Sequence, residues 1–257
     1  MKRFPTRAVP LVLALLLVFF CGEGTRKGRL TILMYHDFTQ ESQPLNDWTL
    51  PIERFREDLQ WLTDHGYAFY LPRELASGVP LAPRAVMLTF DDGYLSNYTL
   101  AYPLLKEYGA KAAIAVVCGM VDREANGILT WEMCREMADS GLVEIGSHTY
   151  DCHQEEPLGI TRMAGESRED YQARVFPDLL KSQEVIAGCT GQPAGYLAYP
   201  NGKTEPWCAE FVRERFYLTV TTMPRIVRPG QELYNLGRYN MAPSVRPATV
   251  LRDPTHP

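Results

Sequence analysis

Two adjacent carboxylates, Asp91 and Asp92, follow an apolar run over residues 85–90. On a regular strand, neighbouring side chains point to opposite faces. Gly93 can turn the backbone where the strand ends, so that both carboxylates reach one cavity. One of them could then bind a cation while the other stays available as a base. The alternative is a helix N-cap, a position where acidic residues are common.

Two histidines follow a second apolar run, residues 143–147. The spacing of five between His148 and His153 fits neither one face of a helix nor one side of a strand. We therefore expect the two imidazoles to meet through an irregular loop. With one aspartate they would supply three protein ligands, the number found in catalytic zinc sites, which keep a fourth position for water. The alternative is a histidine pair with a structural role.

The elements that must position these side chains are alternating strands and helices. Apolar runs predict strands over residues 30–36, 68–71, 85–91, 111–118, 143–148, 196–199 and 217–222. Amphipathic patterns predict helices over residues 52–62, 96–109, 130–141, 168–188 and 204–215. Such alternation is typical of a parallel sheet wound as a barrel or a doubly wound layer, where sites form at the carboxyl ends of strands. Four of the runs end in polar clusters, so we expect one site at that edge.

The composition is that of a globular protein and excludes several classes. Of 257 residues, 46% are hydrophobic and 22% are charged, whereas disordered, collagen-like and coiled-coil chains have a much stronger bias. No repeat or long linker divides residues 25–257, which fits a single domain. The net charge of −5, from 26 basic and 31 acidic residues, lacks the basic footprint of a nucleic-acid-binding protein.

The N-terminal segment has the pattern of an export signal. Basic residues precede an apolar run over residues 8–20, which is shorter than the roughly 20 residues needed to span a bilayer. We predict that residues 1–24 are a signal peptide or an N-terminal membrane anchor, and that residues 25–257 form the domain. The protein would then be exported, either secreted or tethered to the outer face of the cytoplasmic membrane. Contact with the membrane is expected only through this segment.

Three motifs in order resemble those of a known family. They are the sequence TFDDG at residues 89–93, the pair His148 and His153, and the sequence AYPNG at residues 198–202. Together they resemble the successive motifs of the polysaccharide deacetylases, the NodB-homology enzymes of carbohydrate esterase family 4. The resemblance covers roughly residues 29–241. The fold that it implies is α/β, a distorted (β/α)7 barrel in a single domain.

Two departures from the common family pattern indicate which branch of the family the chain resembles. The common family has a histidine spacing of four and a late catalytic histidine, whereas the only late histidine here is His256, in a proline-rich tail. The early Tyr35-His36 pair and the spacing of five resemble the branch that contains poly-β-1,6-N-acetylglucosamine deacetylases. That resemblance implies that His36 is the acid that protonates the departing amine. The alternative for His36 is a residue that closes the first strand by bonding to backbone.

The resemblance also implies a metal centre and a base. Asp92, His148 and His153 would hold one divalent metal ion, with Zn as the expected ion and Co, Ni or Fe as alternatives that suit imidazole and carboxylate ligands. Asp91 would be the catalytic base that accepts a proton from the attacking water.

Further residues would support the reaction. A backbone N–H from the turn formed by Tyr199, Pro200 and Asn201 would stabilise the oxyanion. Most relatives have Tyr where Asn201 stands, and a backbone donor survives that change. Arg238 is a candidate substitute for the arginine that the family places beside its base; the alternative is a surface ion pair. Asp151 could orient one imidazole as its hydrogen-bond partner; the alternative is a loop residue in a turn.

These residues imply an exported, metal-dependent hydrolase that removes N-acetyl groups from an N-acetylglucosamine-containing polysaccharide. The expected partner is an extracellular or cell-wall polysaccharide, with no nucleic acid, and the expected state is a monomer. One alternative is an O-acetyl esterase acting on acetylated xylan or another glycan. Another is a non-catalytic glycan-binding relative that has retained the fold.

Overall fold

The structure is a computed structural model that describes residues 28–43 and 46–251. The predicted signal peptide or anchor, residues 1–24, lies outside the described residues, and so does His256. Within the described part of the chain, no helix combines the length and the apolar character that a membrane span requires.

Parallel strands form the centre of the molecule. Parallel strands are buried on both faces and therefore read as continuous apolar runs, which is the pattern of residues 85–90. The strands are β1 Arg29–Tyr35, β2 Asp37–Thr39, β3 Thr49–Pro51, β4 Ala68–Phe69, β5 Arg84–Phe90, β6 Ala112–Val116, β7 Val143–Ser147, β8 Tyr196–Ala198, β9 Leu218–Val220 and β10 Tyr239–Asn240.

Helices connect the strands and cover the outside of the sheet. They are α1 Ile52–Asp64, α2 Pro72–Ala76, α3 Tyr102–Tyr108, α4 Cys118–Asp122, α5 Trp131–Asp139, α6 Arg168–Thr190, α7 Ala209–Arg215 and α8 Pro247–Val250. Side-chain capping fixes the start of α5 and of α6. The Thr130 side chain accepts the Met133 N–H at the start of α5, and the Ser167 side chain accepts the Asp170 N–H at the start of α6.

The main sheet curls into a barrel. Its strands pair in the order β10-β1-β5-β6-β7-β8-β9, all parallel, and β4 adds to the start of β5. The two ends of this order approach each other, because a parallel bridge joins Val220 of β9 to Leu236, shortly before β10. The prediction of a distorted (β/α)7 barrel in one domain is therefore confirmed, and the doubly wound layer is excluded.

Alternation along the strands divides the core into two parts. Side chains of one parity, among them Ile32, Met87 and Ala113, fill the barrel interior. Side chains of the other parity, among them Leu33 and Leu88, pack beneath the surrounding helices. A polar residue that continues the inner parity beyond the end of a strand therefore lies at the mouth of the barrel.

The predicted strands all occur in the structure, but some short elements were not predicted. The five predicted helices correspond to α1, to a π-helical turn at Asn97–Ala101 followed by α3, to α5, to α6, and to a 3₁₀ turn at Pro206–Cys208 followed by α7. Helices α2, α4 and α8 have five residues or fewer, too few for a period of 3.6 to be read. Strands β2 and β3 are three residues each and form a separate small sheet.

Candidate metal centre and active site

Neighbouring strands deliver the candidate residues to one edge of the barrel. His36 follows β1, Asp91 follows β5, and the last pair of these strands is Tyr35 with Phe90. His148 follows β7, and its N–H donates to the carbonyl of Val116 at the end of β6 (2.9 Å). All of these strands run parallel, so their carboxyl ends meet at the same mouth.

A left-handed backbone separates the two adjacent aspartates. Asp92 has φ of 74° and Gly93 has φ of 79°, conformations that Asp tolerates and Gly adopts freely. A Cβ at position 93 would also lie 2.9 Å from a methyl carbon of Val116. The turn sends the two carboxylates to different partners. Asp92 Oδ1 lies 3.4 Å from His148 Nε2 and 3.4 Å from His153 Nε2.

His148 is buried and held in one orientation. Its Nδ1 lies 2.7 Å from the carbonyl oxygen of Ala198, which can only accept, so Nδ1 carries the proton and Nε2 faces Asp92. Burial opposes the charged imidazole, but the hydrogen bond to Asp92 and the charges of Asp91 and Asp92 raise the pKa of His148 above its ordinary value. The strand end and this bond together explain why His148 can act as a ligand.

The loop that carries His153 is fixed by a carboxylate from α6. Asp178 accepts the backbone N–H groups of Tyr150, Asp151 and Cys152 at 2.9, 2.7 and 3.1 Å. The loop therefore bends back over the barrel mouth, and the spacing of five brings both imidazoles to Asp92. Burial and the neighbouring His148 lower the pKa of His153, which favours the neutral imidazole that metal ligation requires.

The donor set of Asp92, His148 and His153 fits a divalent metal ion. One ligand atom from each residue lies within 4.8 Å of the others. Two ligand bonds of about 2.1 Å at a tetrahedral angle separate their donor atoms by about 3.4 Å, and that is the distance from Asp92 Oδ1 to each imidazole nitrogen. Two imidazole nitrogens and one carboxylate oxygen suit Zn and the neighbouring transition metals.

Asp91 forms a buried ion pair with Arg238. Nη1 and Nη2 of Arg238 donate to the two carboxylate oxygens of Asp91, each at 2.7 Å. The Arg238 side chain is fully buried and also donates to the Thr221 carbonyl and the Thr89 hydroxyl. Burial by itself would raise the pKa of Asp91, but the Arg238 guanidinium holds it well below its ordinary value. Arg238 is thus an internal partner of Asp91, and the alternative of a surface ion pair is excluded.

His36 faces the same group of charges. Its carbonyl accepts the side-chain N–H of Asn97 (2.7 Å), while its own Nδ1 is buried without a hydrogen-bond partner among the described residues. Burial lowers the pKa of His36, against the charges of Asp91 and Asp92, which raise it. The imidazole forms no hydrogen bond to backbone among the described residues. The alternative, in which the His36 ring closes the first strand by bonding to backbone, therefore does not apply.

The turn after β8 leaves one backbone donor for an oxyanion. Tyr199 N–H donates to the carbonyl of Val220 (3.1 Å), and Pro200 has no N–H. Gly202 N–H returns to the Tyr199 carbonyl (2.8 Å). Asn201 is the remaining residue of the predicted set, and its φ of 53° gives the turn a left-handed step. Of the three predicted residues, Asn201 is therefore the one whose N–H can serve a ligand.

The prediction that Asp151 orients an imidazole is wrong. The Asp151 carboxylate pairs with the Arg123 guanidinium (2.9 Å) at the surface, and His148 takes its bond from the Ala198 carbonyl instead. Asp178 provides the carboxylate that the loop needs. It lies in the middle of a helix that starts after a long connection, so no local spacing connects it with the histidines.

Two aromatic residues beside the site were not predicted. Half of the Trp48 surface is exposed (50%), and its ring packs edge-on against His36 with centroids 4.6 Å apart. Tyr94 lies near Asp92, and burial together with that charge raises its pKa to about 12. Trp48 precedes β3, which pairs with β2 directly after His36. No sequence period marks this pairing of three-residue strands.

The comparisons with known proteins agree with this geometry. Residues 78–214 match the family model for polysaccharide deacetylase. The chain is 30% identical to YxkH of Bacillus subtilis (strain 168) over 225 residues, 86% of this chain and 74% of that protein. It is 33% identical over 245 residues to the poly-beta-1,6-N-acetyl-D-glucosamine N-deacetylase of Escherichia coli (strain K12), which covers 82% of this chain but only 36% of the relative.

A solved structure gives the same result. The Streptococcus pyogenes deacetylase PplD, determined in complex with acetate, superposes with a TM-score of 0.73 and 27% sequence identity, over 87% of this chain and 96% of PplD. A family match over more than half of the sequence and a structural likeness over 87% of the chain lead to one conclusion. This chain belongs to the polysaccharide deacetylase family.

Proposed function

We propose that this chain is an exported, metal-dependent hydrolase that removes N-acetyl groups from a polysaccharide containing N-acetylglucosamine. The observation that carries the proposal is that Asp92 lies close to both His148 and His153. The adjacent carboxylate, Asp91, pairs instead with Arg238. Three ligands with a separate, ionised carboxylate are the parts that hydrolysis by an activated water requires.

Asp92, His148 and His153 would hold the metal ion. Such an ion, when bound, acidifies a water molecule and polarises the carbonyl that the water attacks. The Ala198 carbonyl fixes the His148 ring so that Nε2 is the ligand atom. Asp178 fixes the loop of His153 in the same way, through the backbone.

Asp91 accepts the proton of the attacking water at a carboxylate oxygen. Arg238 keeps Asp91 ionised and fixes the plane of its carboxylate, since both guanidinium bonds are 2.7 Å long. Each oxygen retains a lone pair beyond the one that Arg238 uses. Arg238 therefore orients the base, although the strong pairing also reduces its basicity.

His36 and Asn201 act on the other atoms of the substrate. His36 delivers a proton to the nitrogen as the carbon–nitrogen bond breaks, because an amide anion is a very poor leaving group. The products are acetate and a free amine on the sugar. The N–H of Asn201 donates to the oxygen that becomes negative during attack.

The substrate and the location rest on the relatives and on the N-terminal sequence. The E. coli relative is named for poly-β-1,6-N-acetylglucosamine, and PplD was solved with acetate, the product of a deacetylation. Residues 1–24 would export the enzyme to an extracellular or cell-wall polysaccharide, with cleavage or anchoring at the cytoplasmic membrane. We propose that it acts as a monomer, with Zn as the ion.

The test separates metal binding from chemistry. Purified full-length protein should bind one Zn per chain by elemental analysis and release acetate from N-acetylglucosamine oligomers. Asp91→Asn should keep the metal but lose at least about a hundredfold in acetate release. Asp151→Asn, a carboxylate paired with Arg123 at the surface, is the matched control and should change neither. Unchanged acetate release from Asp91→Asn would remove Asp91 from the role of base.

A panel of substrates tests the specificity. We expect release from β-1,6-linked N-acetylglucosamine oligomers to exceed release from β-1,4-linked ones and from acetylxylan. A preference for acetylxylan would identify an O-acetyl esterase. Binding of the oligomers without any acetate release would identify a glycan-binding relative.

A further inference from the structure

An arginine-lined cavity lies at the end of the barrel opposite the candidate active site. Its volume is about 570 Å³, and its lining consists of Arg29, Arg225, Ile226, Arg228, Gln231 and Tyr239. Arg29 is the first residue of β1, whose other end leads to His36. Seven residues of extended strand separate the two by about 23 Å, so the cavity is independent of the metal centre.

The register of two segments brings arginines face to face. Leu30 and Val227 exchange both backbone hydrogen bonds across an antiparallel bridge, and both side chains pack in the barrel interior. One step along this register, Arg29 stands opposite Arg228, and their side chains leave on the outer face. Like charges directly opposite each other are destabilising, so an anion bound between these two exposed arginines would relieve their repulsion.

The cavity contains donors but no counter-charge. Of the described residues that line it, three are arginines and none is acidic, although the whole chain has more acidic than basic residues, 31 against 26. The Gln231 side-chain oxygen accepts the backbone N–H of Arg228, which leaves its NH₂ group free to donate. Tyr239 adds a hydroxyl. Guanidinium groups bind phosphate with paired hydrogen bonds, so the cavity is suited to a phosphate group.

The sequence before β1 indicates where that phosphate would come from. Arg26 and Lys27 lie shortly before Arg29, separated from it by Gly28, and the apolar run over residues 8–20 lies shortly before them. Basic clusters beside a membrane-inserted segment are attracted to anionic lipid head groups. We propose that the cavity binds the phosphate of an anionic phospholipid, so that the opposite end of the barrel, with the active site, faces away from the membrane.

The experiment uses full-length protein in a non-ionic detergent and titrates it with monomeric short-chain phosphatidylglycerol by calorimetry. We expect saturable binding that weakens as salt increases. Short-chain phosphatidylcholine and inorganic phosphate should each bind at least about tenfold more weakly. Arg225→Gln and Arg228→Gln should each weaken phosphatidylglycerol binding by about tenfold, because each removes a charged hydrogen-bond donor.

The matched control is Arg56→Gln, an exposed arginine that pairs with Glu107 away from the cavity; its binding should equal that of the wild type. All of these variants should release acetate from soluble oligomers at the wild-type rate, which keeps this test separate from the proposed catalysis. Equal binding of phosphatidylglycerol by Arg225→Gln and Arg228→Gln would overturn the proposal. Equal affinity for phosphatidylcholine, or for inorganic phosphate, would overturn the assignment to an anionic lipid.

Discussion

The ion pair between Asp91 and Arg238 makes the sharpest prediction about stability. Arg238→Met replaces a fully buried guanidinium side chain by a shorter, unbranched apolar one. The change removes both 2.7 Å bonds to Asp91 and the bonds to Thr221 and Thr89. It leaves the Asp91 carboxylate with 3% of its surface exposed and without its cation.

The magnitude follows from the cost of an unpaired buried charge. Removing one partner of a buried ion pair typically costs about 3–5 kcal/mol, because the other charge stays desolvated. Asp91→Asn leaves the Arg238 guanidinium buried without its counter-charge, so each single variant should lose about that much free energy of unfolding. The double variant contains neither charge, so no buried charge remains unpaired. Its loss should be smaller than the sum of the two single losses by about 3 kcal/mol.

The assay is urea unfolding of the four proteins, followed by tryptophan fluorescence with a chelator present, so that metal binding does not contribute. The pair Arg56 and Glu107, which are 2.8 Å apart at the surface, is the matched control. Arg56→Met and Glu107→Gln should combine additively, since exposed pairs contribute little. If the Asp91 and Arg238 variants also combine additively, the guanidinium does not stabilise the charged Asp91 and the reasoning fails.

Three further predictions concern the metal, the substrate and pH. His153→Ala should lose stoichiometric Zn in elemental analysis, and retention of one Zn would exclude His153 as a ligand. Trp48→Ala should raise KM for oligomers several-fold with kcat within about twofold, since an exposed aromatic face binds a sugar before the chemistry; a loss confined to kcat would contradict this. Burial raises the pKa of Asp58 from 3.8 to about 6. The folded state therefore binds this proton more tightly, so wild-type stability relative to Asp58→Asn should fall by about 2 kcal/mol between pH 4 and pH 7; a difference that does not vary with pH would refute it.

The barrel could be predicted because each of its main strands has a recognisable apolar pattern within its own short segment of sequence. Each run of apolar residues is buried on both faces, and polar residues appear where a run reaches the mouth. The positions of His36, Asp91 and His148 therefore follow from chain order and from the parallel direction of the strands. Closure of the barrel between β9 and β10 depends on backbone hydrogen bonds from β9 to Leu233 and Leu236, a segment that has no periodic pattern of its own.

The partners of the site residues could not be predicted, because they depend on contacts between distant segments. Asp91 and Arg238 are 147 residues apart, and Asp178 reaches the loop at residue 151 from a helix that begins at residue 168. A sequence offers several carboxylates that could orient the histidine loop. Asp151 was the nearest in the chain, yet its own backbone is what Asp178 binds, and its side chain is turned toward Arg123.

The two adjacent aspartates have different surroundings because the backbone changes from the extended conformation to the left-handed region at Asp92. Asp91 keeps the inner parity of β5, so its carboxylate meets Arg238 inside the barrel, where Arg238 also donates to the Thr89 hydroxyl. Asp92, at φ of 74°, leaves the strand and turns toward the histidines. If Asp92 continued the strand, its side chain would point beneath the helices and no ligand set would form. Gly93 makes this turn feasible, because a side chain there would be strained at φ of 79° and would collide with Val116. The separation of the proposed metal ligand from the proposed base is therefore set by the φ angles of Asp92 and Gly93.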